Sequence, residues 1–151
     1  MSLLVVIVNY RAAKLVLDCV RSLVPERDRV PDMKVAVIEN DSGDEDALRV
    51  GLADPVFESW VELIVAQRNG GFAYGNNYAV RKMLERPQPA DYVLLLNPDT
   101  LVHPGALETL LAFMEANPEA GIAGAGLDQA DGSDWPYAFR FPTILSELEG
   151  G

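Results

Sequence analysis

The sequence has almost none of the cysteines that cross-link small secreted proteins, and almost none of the cysteines and histidines that bind zinc. Of its 151 residues, one is a cysteine, Cys19, and one is a histidine, His103. A single cysteine excludes an internal disulfide framework and a cysteine-based zinc site, and it is compatible with a reducing compartment. Because no second group pairs with His103 as a base, we expect this histidine at the surface or in a helix cap.

Basic residues and long apolar runs are scarce as well. Twelve lysines and arginines face 23 aspartates and glutamates, which gives a formal net charge of -11. Such a surface repels nucleic acid and anionic lipid, so a phosphate ligand has to be met by local chemistry. The apolar run at residues 3–8 lacks a basic leader and a cleavage site, and no run approaches the length of a membrane span. We expect a cytoplasmic protein without a transmembrane segment, with peripheral association at a membrane as the alternative.

Hydrophobic residues are plentiful enough for a folded domain. They make up 49% of the chain, and with 8% aromatic residues they exclude a disordered or collagen-like protein. Short apolar runs alternate with amphipathic stretches, and this alternation predicts an α/β fold with a mostly parallel sheet flanked by helices. The predicted strands are residues 3–8, 35–38, 61–65 and 92–96.

Helical spacing of apolar residues predicts helices between these strands. One runs from Leu15 to Leu23 and ends at Pro25, a second includes residues 79–84, and a third includes residues 107–114. We expect Phe113 of the third helix in the core.

A polar cluster follows each predicted strand. In an open α/β sheet the carboxyl ends of parallel strands share one edge, and ligands bind in the crevice there. The sequence therefore predicts that four separate loops converge on one site. The clusters are Asn9-Tyr10-Arg11, Glu39-Asn40-Asp41-Ser42, Arg68-Asn69-Gly70-Gly71 and Asn97-Pro98-Asp99-Thr100.

The third cluster opens the glycine-rich stretch RNGGFAYGNN at residues 68–77. Gly70 and Gly71 allow a positive φ or a close approach to a ligand, and we expect the next helix to begin around Gly75. Free amides at a helix start attract phosphate. The spacing fits neither G-x-G-x-x-G nor G-x-x-x-x-G-K-[ST], and a purely structural turn remains an open alternative.

The fourth cluster, in LLLNPDT, places the carboxylate of Asp99 at the mouth of the predicted crevice. A single aspartate after a strand is also typical of a helix cap, so both interpretations stay open at this point. However, a chain with excess negative charge that binds a diphosphate needs a cation between the two. One carboxylate with phosphate oxygens and water suits Mg²⁺ or Mn²⁺.

Taken in order, VIVNYR, VIENDSGD, RNGGFAYGNN and LLLNPDT resemble the nucleotide-sugar glycosyltransferases of family 2, especially the rhamnosyltransferase-like branch. The resemblance implies a single Rossmann-like GT-A domain over residues 1–151. It implies an inverting transfer of a sugar from a nucleoside diphosphate sugar to a saccharide or lipid-linked acceptor hydroxyl, in cell-wall or polysaccharide biosynthesis. It also implies a divalent metal, Mg²⁺ or Mn²⁺, at the D-x-D position.

The resemblance further implies roles for individual residues. Asn9 and Tyr10 correspond to nucleotide contacts, and Glu39 stands where the family usually has a base-contacting aspartate. Asp99 falls on the last position of D-x-D and is the implied metal ligand. Asn97 replaces the first aspartate, and since an amide adds no charge, we expect weak metal binding without the donor. The positions on N-x-G-F-A-x-G-N that border the nucleotide and diphosphate are Asn69, Gly71, Phe72 and Asn76.

The catalytic base is the residue that the sequence does not identify, because the acids after Asp99 do not form the acidic pair that the family carries. Related enzymes continue beyond Gly151 into an acceptor-binding half, so we expect a truncated chain or a short paralogue. Two other interpretations stay open. One is a catalytically inactive nucleotide-binding or interaction module, and the other is a nucleotidyltransferase, although VNYRAAK lacks its glycine-rich basic loop.

Four other side chains keep two interpretations each. Arg11 and Arg68 either contact phosphate or are solvated. Trp135 and Tyr137 follow the turn signal Asp131-Gly132 and form either a wall of the acceptor side or a cap on the sheet.

Overall fold

The computed structural model describes residues 1–129 and 131–135 of the chain. Its main sheet has four parallel strands, and their order across the sheet is the third, second, first and fourth strand along the chain. Because all four strands run in the same direction, their carboxyl ends lie along one edge, and the expected parallel α/β sheet is confirmed. The strands are β1 (Leu3–Asn9), β2 (Met33–Glu39), β3 (Val61–Val65) and β4 (Tyr92–Leu96).

Helices connect the strands, as the alternating pattern predicts. The first ends at Ser22, and a 3-10 turn over Val24–Glu26 takes up Pro25, so the helix ends slightly earlier than expected. A two-stranded antiparallel ribbon, β5 (Leu127–Asp128) and β6 (Asp134–Trp135), lies near the end of the described residues. The helices are α1 (Ala13–Ser22), α2 (Glu45–Gly51), α3 (Gly71–Leu84) and α4 (Ala106–Ala116).

Helix α3 begins at Gly71, and the expected start around Gly75 is therefore wrong. Gly71 has a φ of 81°, a conformation that glycine adopts without the steric penalty of a side chain, so the chain turns into the helix directly from the loop. Gly75 and Asn76 consequently lie inside the helix and are buried.

Strand β1 is the centre of the core, and all seven of its residues are buried. A continuous apolar run is what a strand covered on both faces requires. One face of the sheet packs against α1 and α4, and the other packs against α3. Representative contacts of the first layer are Val5, Ile7, Val16, Val20 and Leu107, and those of the second are Val6, Val8, Ala79 and Met83.

Gly75 is a point of close approach between α3 and the sheet. A Cβ at this position would lie 2.8 Å from Cγ1 of Val8, which is closer than side chains pack. The glycine therefore lets the first turns of α3 rest against the last residues of β1, beside the carboxyl edge.

Two expectations about the later part of the chain have different outcomes. Phe113 is half exposed, so its expected place in the core is wrong, because α4 buries the side that carries Leu107 and Leu111. Trp135 lies exposed in the β5–β6 ribbon, and Tyr137 lies outside the described residues. In the described part of the chain, no helix combines the length and apolar character that crossing a membrane requires.

Candidate functional site

The four polar clusters lie side by side at the carboxyl edge of the sheet. Strand pairing places Asn9 opposite Glu39, Glu39 opposite Val65, and Ile7 opposite Leu96. The loops that leave these strands therefore start from one edge in the order third, second, first and fourth cluster. The sheet topology therefore brings the four loops to one edge, as the sequence predicts.

The side chain of Asn9 ties the first loop to the second. It is fully buried, and its amide donates to Oγ of Ser42 and to Oδ2 of Asp44, at 3.1 Å in each case. Its oxygen accepts from the backbone of Ala12 at 3.1 Å, and Asp44 also accepts from the backbone of Ala13. The hydrogen bonds of Asn9 are thus made within the protein, where they order the loops.

Two aromatic rings are exposed in the loops at this edge of the sheet. Tyr10 is 47% exposed in the first loop, and the guanidinium of Arg11 lies 5.3 Å from its ring centroid. Phe72 is 52% exposed in the first turn of α3. Rings with a free face at a sheet edge can stack on a planar ligand such as a nucleobase.

Glu39 ends β2 with a buried carboxylate. Its Oε1 accepts hydrogen bonds from the backbone amide of Ser42, at 2.8 Å, and from the hydroxyl of the same residue. These bonds hold the carboxylate at the point where the second loop leaves the sheet. A contact between Glu39 and a nucleobase stays a prediction.

Asn40 organises the glycine-rich loop, a role that sequence reasoning missed. The side chain is buried; its amide donates to Oδ1 of Asn69 at 3.1 Å and to the carbonyl of Gly71 at 3.3 Å. Oδ1 of Asn69 also accepts from the amide of Gly71 at 2.9 Å. The position of Asn40 in a polar cluster is visible in the sequence, but its partners about thirty residues away are not.

Arg68 and Asn76 are two further polar residues of the glycine-rich stretch. The guanidinium of Arg68 lies 5.1 Å from the ring centroid of Tyr74, at the exposed start of the loop. Asn76 is buried, and its amide donates to the carbonyl of Phe72 at 3.0 Å. Its Oδ1 has no hydrogen-bond partner among the described residues.

Asp99 lies in a turn after β4, and the helix-cap interpretation of it is wrong. The amide of Thr100 donates to the carbonyl of Asn97 at 3.2 Å, which closes the turn around Asp99. Helix α4 begins later, at Ala106, and Gly105 is its N-cap. Both Asn97 and Asp99 are exposed at the carboxyl edge, so their side chains are free of a capping role.

Few side chains near Asp99 could bind a metal ion. The described residues contain no group of three or more histidine, cysteine, aspartate or glutamate side chains that could hold a metal ion. A carboxylate from Asp99 and an amide oxygen from Asn97 fit a divalent cation only when phosphate oxygens and water complete the shell, which is how Mg²⁺ is commonly bound. The residues thus fit a metal that arrives with a phosphorylated ligand.

Cys19 lies directly behind this turn. Its Sγ is 3.7 Å from the carbonyl oxygen of Asn97. Burial raises the pKa of the thiol from 9.0 to about 12, and the negative charge of Asp99 contributes to the rise. The thiol is therefore protonated at physiological pH.

We expect Cys19 to resist alkylation in the folded protein. At pH 8 a pKa of about 12 leaves a thiolate fraction roughly 10³-fold smaller than an unperturbed thiol has, and burial slows the reagent further. The measurement is the rate of iodoacetamide labelling, followed by mass spectrometry, with the protein in denaturant as the control. Labelling of the folded protein at the denatured rate would contradict the position of Cys19.

The chain is similar in sequence to a protein family and to individual known proteins. A family model described as "Glycosyl transferase family 2" matches residues 4–144. Over 91 residues the chain is 29% identical to the N-acetylglucosaminyl-diphospho-decaprenol L-rhamnosyltransferase of Mycobacterium tuberculosis, in the two strains CDC 1551 and H37Rv. That match covers 56% of this chain and 30% of the relative, so the chain spans less than a third of that protein's length.

Solved structures with a similar fold include TarS of S. aureus. One TarS structure has a TM-score of 0.63 at 18% identity and covers 78% of this chain and 20% of TarS. A second, in complex with UDP-GlcNAc, has a TM-score of 0.61 at 18% identity and covers 86% and 38% of the two chains. A third, in complex with UDP, has a TM-score of 0.63 at 19% identity and covers 86% and 39%. These likenesses confirm the expected GT-A fold.

Proposed function

The chain belongs to glycosyl transferase family 2, and from that premise we propose that it binds a nucleoside diphosphate sugar at the carboxyl edge of its sheet, for transfer of the sugar to an acceptor hydroxyl. The observation that carries the proposal is the meeting of four polar loops at one edge, with Asp99 exposed on one of them. We further propose that residues 1–151 act as one donor-binding domain.

The nucleoside part of the donor is assigned to the first three loops. Tyr10 and Phe72 supply exposed ring faces, and Glu39 supplies a carboxylate at the end of β2. Asn9 holds the first two loops in place, because its side chain makes its hydrogen bonds with residues of the protein itself. Asn69 belongs to the hydrogen-bonded glycine-rich loop that the nucleoside lies against.

The diphosphate is assigned to the space between the start of α3 and the turn after β4. Helix α3 begins at Gly71, whose own amide donates to Asn69, while the next amides of the first turn have no partner within the helix and favour a negative ligand. Asn76, in the second turn of α3, keeps a buried oxygen without a described partner. Asn97 and Asp99 face the same edge and would hold Mg²⁺ or Mn²⁺ together with the phosphates. When bound, that cation offsets the charge that grows on the departing diphosphate.

The proposed reaction is a direct displacement with inversion. The acceptor oxygen bonds to the anomeric carbon as the bond from that carbon to the diphosphate oxygen breaks, and a carboxylate takes the acceptor proton. That base is not assigned to any residue of this chain. Because the curated relative is named for rhamnosyl transfer to a lipid-linked N-acetylglucosamine, we propose a saccharide or lipid-linked acceptor in cell-wall or polysaccharide synthesis.

A second candidate function is donor binding without transfer. It is favoured by the surroundings of the described acids after Asp99, several of which already have partners. Oε2 of Glu108 lies 3.7 Å from Nε of Arg29. Oδ2 of Asp128 lies 3.5 Å from Nε2 of His103, and Oδ1 of Asp131 accepts a hydrogen bond from the hydroxyl of Ser133. A chain of this kind would present a nucleotide sugar without activating the acceptor.

Calorimetry and a turnover assay test both candidates. UDP, dTDP and GDP are titrated with and without Mn²⁺, starting from UDP because TarS was crystallised with UDP. We expect at least one to bind with a Kd in the roughly micromolar-to-millimolar range. Hydrolysis or transfer of the matching nucleotide sugar supports an enzyme, and binding alone supports the second candidate. Absence of binding by all three nucleotides would contradict the proposal.

A further inference from the structure

The segment from Asn97 to Leu107, which carries Asp99, is held from behind by α1 and the 3-10 turn. The thiol of Cys19 contacts the carbonyl of Asn97, and the hydroxyl of Ser22 accepts from the amide of Val102 at 2.9 Å. The strongest attachment is Glu26. Its Oε1 accepts from the amide of Gly105 at 2.6 Å, and its Oε2 accepts from the amide of Leu107 at 2.9 Å.

Glu26 and Glu39 are the two buried acids among the described residues, and the side chain of Glu26 is completely buried. Burying a carboxylate is unfavourable unless hydrogen bonds or an opposite charge compensate for the lost water. Here the compensation comes from the first amides of α4, while the nearest cation, Arg29, is 4.0 Å away and half exposed. Helix α4 has no side-chain cap of its own at Gly105. Glu26 therefore supplies a cap from 79 residues away in the sequence.

We propose that Glu26 is a positioning residue for Asp99, a role that rests on the proposed function. The segment that carries Asp99 is fixed at one end by β4 and at the other by the Glu26-capped start of α4, with single contacts to Cys19 and Ser22 in between. If Glu26 is replaced, the amides of Gly105 and Leu107 lose their acceptor, and residues 97–105, which then keep only the single contacts with Cys19 and Ser22, gain freedom. The carboxylate of Asp99 then has to be ordered when a phosphate-bound cation arrives, which weakens that binding step.

Three variants separate this role from a general contribution to stability. Glu26→Met keeps the length of the side chain and removes both acceptors, whereas Glu26→Gln keeps one acceptor oxygen. Glu108→Gln is the matched control, because Glu108 is an exposed acid in the first turn of the same helix. The Kd for UDP is measured for each variant in Mn²⁺ and in EDTA, together with amide hydrogen exchange of residues 97–107.

We expect Glu26→Met to raise the Kd in Mn²⁺ about tenfold, the size of effect known for groups that orient metal ligands. The Kd in EDTA should stay within about twofold, since the first three loops are untouched. Glu26→Gln should recover part of the loss, and Glu108→Gln should match the unmodified protein. Hydrogen exchange should rise in residues 97–105 of both Glu26 variants and not in β1.

Two results would overturn the proposal. One is equal weakening of UDP binding in Mn²⁺ and in EDTA, which is the signature of a merely structural role. The other is unchanged exchange in residues 97–105 of Glu26→Gln, which also decides the matter if Glu26→Met does not fold. If the unmodified protein binds no nucleotide, the proposed function fails by itself, and the exchange measurement still shows whether Glu26 holds the segment.

Discussion

Replacing Asp99 by asparagine should raise the Kd for UDP in Mn²⁺ at least about tenfold, toward the value measured in EDTA. Even groups that only orient a metal ligand contribute about that much, and Asp99 is the one proposed charged ligand. The substitution keeps the shape of the side chain and removes the charge, so the turn closed by Asn97 and Thr100 should persist. Calorimetry with UDP in Mn²⁺ and in EDTA measures the effect.

Asp41 offers the matched control for this experiment. It is an exposed aspartate at the same edge of the sheet, and its φ of 54° is one that asparagine also tolerates. Asp41→Asn should leave the gain in affinity from Mn²⁺ unchanged. If Asp99→Asn keeps that gain, or if Asp41→Asn loses it equally, the metal does not rest on Asp99.

The Gly75→Val substitution should have the largest effect on stability, lowering the free energy of unfolding by about 2–3 kcal/mol. The Cβ alone would lie 2.8 Å from Val8, and the two additional methyl groups have to fit between α3 and β1. The start of α3 is then pushed away from the carboxyl edge, so UDP binding should weaken as well. Urea denaturation gives the first quantity and calorimetry the second.

Ala73→Val is the control for that substitution. Ala73 is exposed in the same helix, so the change adds the same β-branched residue without a clash and should alter stability by less than about 1 kcal/mol. Helix propensity alone favours Gly75→Val and disfavours Ala73→Val, so a loss of stability in Gly75→Val no larger than that in Ala73→Val would mean that no clash with Val8 occurs. The close packing of Gly75 on Val8 would then not be the reason for the glycine.

The strands are the part of the fold that the sequence predicts best. A buried parallel strand needs a short, continuous apolar run, and such runs stand out between polar clusters, as in β1. Helix boundaries are harder, because they depend on single backbone angles. The left-handed φ of Gly71 starts α3 before the position that the asparagine-rich segment suggests.

The sequence predicts which loops form the candidate site, but it does not predict the hydrogen bonds that hold those loops in place. Parallel topology places the four clusters together once the strands are known. The hydrogen bonds from Asn40 to the glycine-rich loop and from the start of α4 to Glu26 join residues far apart in the chain. Neither pairing leaves a local pattern, because a buried asparagine or glutamate looks like any other loop residue until the tertiary contact is known.

The most direct test of the account is Mn²⁺-induced relaxation of amide signals by NMR in the presence of UDP. A paramagnetic ion broadens the signals of nearby amides, so the affected residues show where the cation and nucleotide meet. The account predicts broadening in all four loops at the carboxyl edge, strongest around Asp99, and sharp signals at the opposite edge near Leu3 and Tyr92. Broadening confined to another surface, with the amides around Glu39 and Asp99 unchanged, would contradict it.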